Sequence, residues 1–329
     1  MRSPTIGHHD AVNTTDDAST DGRGRAATDP ADIPATGWKD VLLRIKDEFK
    51  EDHVTLTAAG VAFFFFLALV PLLVAGVSIY GLLADPSDVT ALVDRIPSSV
   101  PSAVTDLLRS QLESITQSAS SSLGIGVAVG IAAALWSASS GFGHLIEGLN
   151  IAYDEDESRG FFGRKALALG FTLLFLVLVA AVVGVITVAT GLASGGVAIA
   201  ALIVGWLIVA VLFAIFLAVL YRYGPNRDEP QWVWVSTGSI FAVIGWTLMT
   251  VGFGFYVSRF GSYNETYGSL GAIVVTLTWM YLTAVIVVLG AEINTELERQ
   301  TRVDSTDGRP QPMGHRDADA ADELGAPQT

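Results

Sequence analysis

Apolar and polar positions alternate along this chain in blocks. Six long apolar runs, at about 56–83, 123–143, 166–190, 197–221, 232–257 and 269–291, are separated by polar stretches. About 20 apolar residues rising about 1.5 Å each cross a hydrocarbon core of about 30 Å, so each run predicts a transmembrane helix. The last is the clearest. No charged residue occurs between Ser269 and Ala291, and Glu292, Asn294, Glu296 and Glu298 then follow, so this helix is expected to deliver polar groups to one membrane face.

Shorter amphipathic patterns lie beside the first run. Trp38, Val41, Leu42, Ile45 and Phe49 recur at helical spacing with Lys39, Arg44, Lys46 and Lys50 among them, which predicts a helix at a membrane surface. In the stretch 84–122, Val89, Leu92, Val93 and Ile96, then Val104, Leu107, Leu108 and Leu112, predict two short helices on the far face, punctuated by Pro86, Pro97 and Pro101. The predicted fold class is all-α: a polytopic bundle of six transmembrane helices with an amphipathic N-terminal helix and a helical extracytoplasmic insert between spans one and two.

Details within the runs predict how the helices meet. Pro71 removes a backbone donor from span one and predicts a kink. Gly126 and Gly130 form a GxxxG pair in span two, and Gly238, Gly245 and Gly252 recur every seven residues in span five. Both patterns predict faces where helix backbones approach closely. The uncharged stretch from Gly191 to Gly196 predicts a tight hairpin between spans three and four.

Composition changes the picture at the two ends. Hydrophobic residues make up 51% of the chain and charged residues 16%, a balance that needs lipid around it. The net charge is −14, and acidic residues outnumber arginines in residues 1–37 and again in 299–329. Few large apolar side chains occur there, so both tails are expected to be disordered, leaving residues 38–298 as the membrane domain. Acidic, lysine-poor tails also suit concentrated salt, and a halophilic, haloarchaeal source is the expectation. Sixteen of the nineteen Lys and Arg fall on the side that carries the tails, against Arg95, Arg109 and Arg259 opposite. By the positive-inside bias both termini are expected in the cytoplasm, with the protein in the cytoplasmic membrane. No cleavable leader is expected, since no long apolar run precedes Leu56.

Candidate chemistry gathers at the tail-side ends of the spans. His144, Glu147 and Asn150 are three apart, on one helix stripe; Arg222 closes span four, and Glu292 and Asn294 close span six. Glu147, Arg222 and Glu292 are expected to form a polar cluster at the inner end of a cavity enclosed by spans one, two, four and six. Cysteine is absent, and the five histidines (8, 9, 53, 144 and 315) form no dense metal motif. Phosphate loops of Walker type, GxSxG turns and HExxH helices are also lacking. No cofactor or metal is therefore expected. Negative charge without a basic stripe disfavours nucleic acid, and membrane lipids are the expected partners.

Four segments in order resemble the YihY/BrkB family, which carries the older label ribonuclease BN. They are Thr57 to Pro71, Leu135-Trp136-Ser-Ala-Ser through Leu149-Asn150-Ile-Ala-Tyr153, Tyr221-Arg222-Tyr-Gly-Pro225, and Tyr267-Gly268 to Gly290-Ala-Glu292-Ile-Asn294. The resemblance covers roughly 39–298 and implies a six-helix inner-membrane protein with no settled activity. A serine common in the family before the Phe-Pro of span one is replaced within Leu67–Val70. Transport or handling of a lipid-like or small amphiphilic substrate is the leading functional expectation. A non-transporting scaffold for envelope assembly is the alternative, and an RNA-cleaving enzyme comes last.

Overall fold

A computed structural model describes residues 21–83, 124–192, 198–259 and 269–328. The insert predicted over 84–122 and the hairpin turn before Ala198 lie outside the described residues. Helix α1 (Ala35–Glu51) precedes six long helices: α2 (Val54–Leu83), α3 (Gly124–Ala152), α4 (Phe161–Leu192), α5 (Ala198–Tyr223), α6 (Trp232–Arg259) and α7 (Ser269–Glu298). A short α8 (Asp319–Asp322) follows. All six long helices contain stretches apolar and long enough to cross a membrane, and no strand occurs among the described residues. The chain is an all-helical, multi-pass membrane protein.

The six spans form a closed ring in chain order. Each packs against the next, α7 returns to close on α2, and α7 also touches α3 across the ring. Leu145, Leu149, Phe142, Leu217, Leu220, Val235 and Val288 join in one apolar core between them. Outward faces remain apolar: Phe63, Val177, Leu207, Leu248 and Val251 are all exposed. Burying these against lipid instead of water is what a membrane supplies. α2 runs unbroken through Pro71, and α1 lays Val41 and Ile45 against Trp234 and Leu297 in a second, smaller core.

The tails differ from the sequence expectation. Residues 21–37 and 299–328, expected to be disordered, are folded against each other and against the ends of α1 and α7. Arg302 N–H donates to the Arg25 carbonyl at 2.9 Å, Gly325 N–H to the Arg299 carbonyl at 2.9 Å, and Thr301 Oγ1 to the Ala27 carbonyl at 2.6 Å. The C-terminal segment also reaches the connection between α5 and α6, where Gln231 N–H donates to the Ser305 carbonyl and Asp307 N–H to the Glu229 carbonyl, each at 2.8 Å. Composition misled because hydrophobic content was the wrong criterion. Hydrogen bonds and ion pairs hold these segments, with few apolar side chains buried: Ala27 and Ile33 before α1, and Ala318, Ala320 and Ala321 after α7. Residues 1–20 lie outside the described residues.

The glycine row of span five meets its neighbours unequally. A Cβ on Gly238 would fall 2.1 Å from the Gly290 carbonyl oxygen of α7, whereas one on Gly245 would touch Ile286 at an ordinary 3.5 Å. Gly252 and, on α3, Gly130 have open space; the surroundings of Gly126 lie outside the described residues. The closest approach of α6 to α7 is thus confined to the tail-side end. Gly238→Ala should lower thermal stability in detergent by about 1–3 kcal/mol, the usual cost of overpacking. Gly252→Ala should leave it unchanged.

Candidate functional site

A buried polar assembly on the tail side is arranged around the last turns of α7 and the two residues that follow it. Glu292, Asn294, Thr295, Glu296, Glu298, Arg299 and Gln300 are all buried. Carboxylates at a helix C-terminus face the negative end of the helix dipole, so their burial needs cations from elsewhere. α1 supplies Arg44, whose Nε donates to Glu296 Oε2 and whose Nη2 reaches the Glu296 carbonyl at 3.0 Å and Gln300 Oε1 at 2.9 Å. The α5–α6 connection supplies Arg227, which clasps Glu298 through two parallel hydrogen bonds of 3.1 and 2.7 Å. Both side chains of that pair are fully buried. The Arg227 guanidinium also lies 5.1 Å over the Tyr153 ring. Arg299 bridges outward, to Asp154 at 2.7 Å, Asp319 at 2.9 Å, Glu296 at 3.2 Å and Glu48 at 3.5 Å.

Neutral groups complete the arrangement. Asn294 Oδ1 accepts from Gly238 N–H at 2.7 Å, and its Nδ2 donates to Tyr153 Oη at 3.2 Å. Thr295 Oγ1 donates to the Ala152 carbonyl at 2.8 Å, satisfying one of the orphan carbonyls at the end of α3. Tyr221 Oη donates to the Val287 carbonyl at 2.8 Å. α7 is thereby tied to α3, α5 and α6 through its own polar stripe.

The expected cluster of Glu147, Arg222 and Glu292 does not form, because each finds another partner. Arg222 donates to the Pro230 carbonyl, to Asp307 at 2.7 Å and to Glu229 at 3.0 Å, with its guanidinium 4.8 Å from the centre of the Trp232 ring. It anchors the C-terminal segment. Glu147 is exposed and pairs with His144 at 3.3 Å, while the His144 ring stacks on Phe64 with centroids 3.4 Å apart. Asn150 organises the loop after α3, donating to Glu157 at 3.0 Å and accepting from Asn226 N–H at 2.8 Å. Glu292 instead faces Asp52, at the turn between α1 and α2.

Sequence reasoning passed over Arg44, Asp52, Arg227 and Arg299. A signal existed: from Glu292 to Gln300 every residue but Ile293 and Leu297 is polar, and a helix that continues polar beyond a span needs partners wherever it is covered. An open hollow of about 520 Å³ is lined by Phe49, Lys50, His53, Thr55 and Leu56, where the chain turns from α1 into α2. His53 occupies this turn with a positive φ of 49° and an exposed side chain. The described residues contain no group of three or more His, Asp or Glu placed to hold a metal ion.

Two outcomes follow. Arg227→Ala strands a fully buried Glu298 and should destabilise the protein by about 3–5 kcal/mol. Arg222→Ala releases carboxylates already half or more exposed to water and should cost far less, about 0–1 kcal/mol; thermal unfolding in detergent compares the two. Burial, opposed by Arg299 and reinforced by Glu296, pushes Glu48 up from 4.5 to about 7. Burial likewise pushes Glu155 to about 7. A carboxyl that holds its proton more tightly when folded stabilises the protein below its unfolded value and loses that stabilisation as pH rises through the folded one. Melting temperature should therefore fall between about pH 4.5 and 7. The double variant Glu48→Gln, Glu155→Gln should flatten that decline.

Comparison with known proteins bears on the same segments. Residues 45–314 match the family described as virulence factor BrkB, a range that includes the folded segment after α7 as far as Gly314. The ribonuclease-like protein YfkH of Bacillus subtilis is 36% identical over 180 residues, which is 52% of this chain and 65% of that protein. A UPF0761 membrane protein of Nitrosospira multiformis is 38% identical over 87 residues, 26% of this chain and 20% of that one. A UPF0761 membrane protein of Vibrio cholerae is 36% identical over 103 residues, 31% of this chain and 34% of its own length. The aligned region thus spans less than two thirds of each of these relatives. No solved structure matches. With six membrane-spanning helices in a ring and a family match that covers most of its length, this chain belongs to the BrkB family of integral membrane proteins.

Proposed function

We propose that this protein handles an anionic amphiphile, a lipid or lipid-like molecule, at the tail-side face of the cytoplasmic membrane and moves it between the leaflets, with both termini in the cytoplasm. The supporting observation is the hollow at the α1–α2 turn, which places Lys50 and His53 beside Phe49 and Leu56. A cationic group next to apolar side chains at the level where a span begins suits a negatively charged headgroup above an acyl chain. Three of the chain's four lysines, Lys39, Lys46 and Lys50, are exposed on α1, interspersed with the exposed Asp47 and Glu51. The excess of basic residues on the tail side supports the orientation.

The runner-up is a non-transporting scaffold. It is favoured by the cap, the polar assembly that the end of α7 forms with α1, the α5–α6 connection and the C-terminal segment, in which Glu296 and Glu298 are paired internally with Arg44, Arg299 and Arg227. The name ribonuclease-like belongs to the Bacillus subtilis relative and enters neither reading.

Purified protein in vesicles of anionic and zwitterionic lipid should exchange a labelled anionic lipid between leaflets faster than protein-free vesicles, and Lys50→Glu should slow that exchange several-fold. Exchange no faster than in empty vesicles, with the protein correctly inserted, would favour the scaffold.

A further inference from the structure

One pair of side chains in the cap has no cation. Glu296 has Arg44 and Arg299, and Glu298 has Arg227, but Glu292, 1% exposed, meets none. Its Oε1 is buried without any donor, and so is Oδ2 of Asp52. The two side chains are nevertheless within hydrogen-bonding reach of each other. Two ionised carboxylates repel and neither can donate; a hydrogen bond between them exists only when one carries a proton.

The surroundings leave no alternative counter-charge. Glu48 from α1 and Glu296 from α7 add negative potential on Glu292, and Glu51 and Asp154 add it on Asp52. Arg299 acts on Asp52 as a positive charge, but its Nη atoms donate to Asp154, Asp319 and Glu296, and its buried Nε donates to neither Asp52 nor Glu292. α6 faces this part of α7 with Gly238 and Val235, which are neutral, and α3 with Tyr153 and the Ala152 carbonyl. His53, next in the chain, is exposed and turns its Nδ1 to the Lys50 carbonyl at 2.9 Å.

We propose that Asp52 and Glu292 form a proton-binding site, one proton held between the two carboxyl groups where the α1–α2 turn meets α7. Loaded, the site is an O–H···O⁻ pair with a single negative charge. Emptied, it is two carboxylates in contact, with the proton released to water through the half-exposed Asp52. Burial pushes Asp52 above the ordinary carboxylate range, in the direction the loaded state requires. Releasing the proton makes the α1–α2 turn and the end of α7 repel each other. His53, at positive φ in that turn, is the residue about which the turn would open. The site stands apart from the lipid reading, since it needs no substrate.

The test is infrared spectroscopy of the full-length protein in detergent, which reads the carbonyl stretch of protonated carboxylic acids. Glu48 and Glu155 contribute near neutrality, so the spectra are recorded in a Glu48→Gln, Glu155→Gln background. A protonated-carboxyl band should persist there at neutral pH and disappear in both Asp52→Asn and Glu292→Gln. It should titrate away at alkaline pH together with a fall in melting temperature that either variant abolishes. Glu147→Gln should leave the band intact. No band in the background protein at neutral pH would overturn the proposal without reference to how the variants fold, and so would a band that survives both substitutions. Stability of the pair that follows sodium or potassium concentration, and not pH, would assign the site to a metal cation and overturn it equally.

Discussion

Three carboxylates buried on the end of one helix are the constraint to which the rest of the tail-side structure answers. Glu296 and Glu298 lie in the last turn of α7, where its dipole is least favourable to negative charge, and Glu292 lies nearly two turns before the end. Removing an ion from water costs several kcal/mol even after relaxation, so each needs a specific partner. Glu296 takes Arg44 from α1 and Arg299 from the segment beyond α7, Glu298 takes Arg227 from the α5–α6 connection, and Glu292 faces Asp52 in place of a cation. No two of these arginines come from the same element. Satisfying the charges therefore requires the amphipathic helix, the loop and the C-terminal segment to assemble together, and the cap behaves as a single folded unit.

The ring of spans takes its registration from the same place. Asn294 can accept from a Gly238 backbone amide only because neither Gly238 nor Gly290 has a side chain to hold α6 and α7 apart. The Thr295 bond to Ala152 and the Tyr221 bond to Val287 then fix α3 and α5 against α7 at defined heights. Apolar packing alone, between helices as smooth as α4 and α5, would leave sliding cheap in a membrane where lipid competes for every contact. Directional bonds at one end set the register; aliphatic contact fills the remainder.

The membrane helices were legible because their signal is local: twenty apolar residues in a row need lipid whatever lies next to them. α1 was legible for the same reason, as a single-helix periodicity. Partnership was not. Arg222 looks, by position, like a counterion for Glu292, but Asp307 lies 85 residues further along the chain and still binds it at 2.7 Å. Asp307 and Asp319 read as hydration-promoting tail residues when composition is averaged, yet as individual groups they are counterions to Arg222 and Arg299. The seven-residue glycine repeat predicts one face, but of its three glycines only Gly238 is in close contact, at the place where Asn294 meets α6. Averages find spans, whereas caps are made of pairs.

The claim that the cap is one folded unit is tested most directly by amide hydrogen exchange across residues 299–328 in the detergent-solubilised protein. The amides of Arg302, Asp307 and Gly325 donate to Arg25, Glu229 and Arg299. They should exchange slowly and, in the Arg227→Ala protein, become faster together, even though Arg227 touches none of them. Free exchange of this segment in the wild-type protein, at the rate of an unstructured chain, would contradict the account.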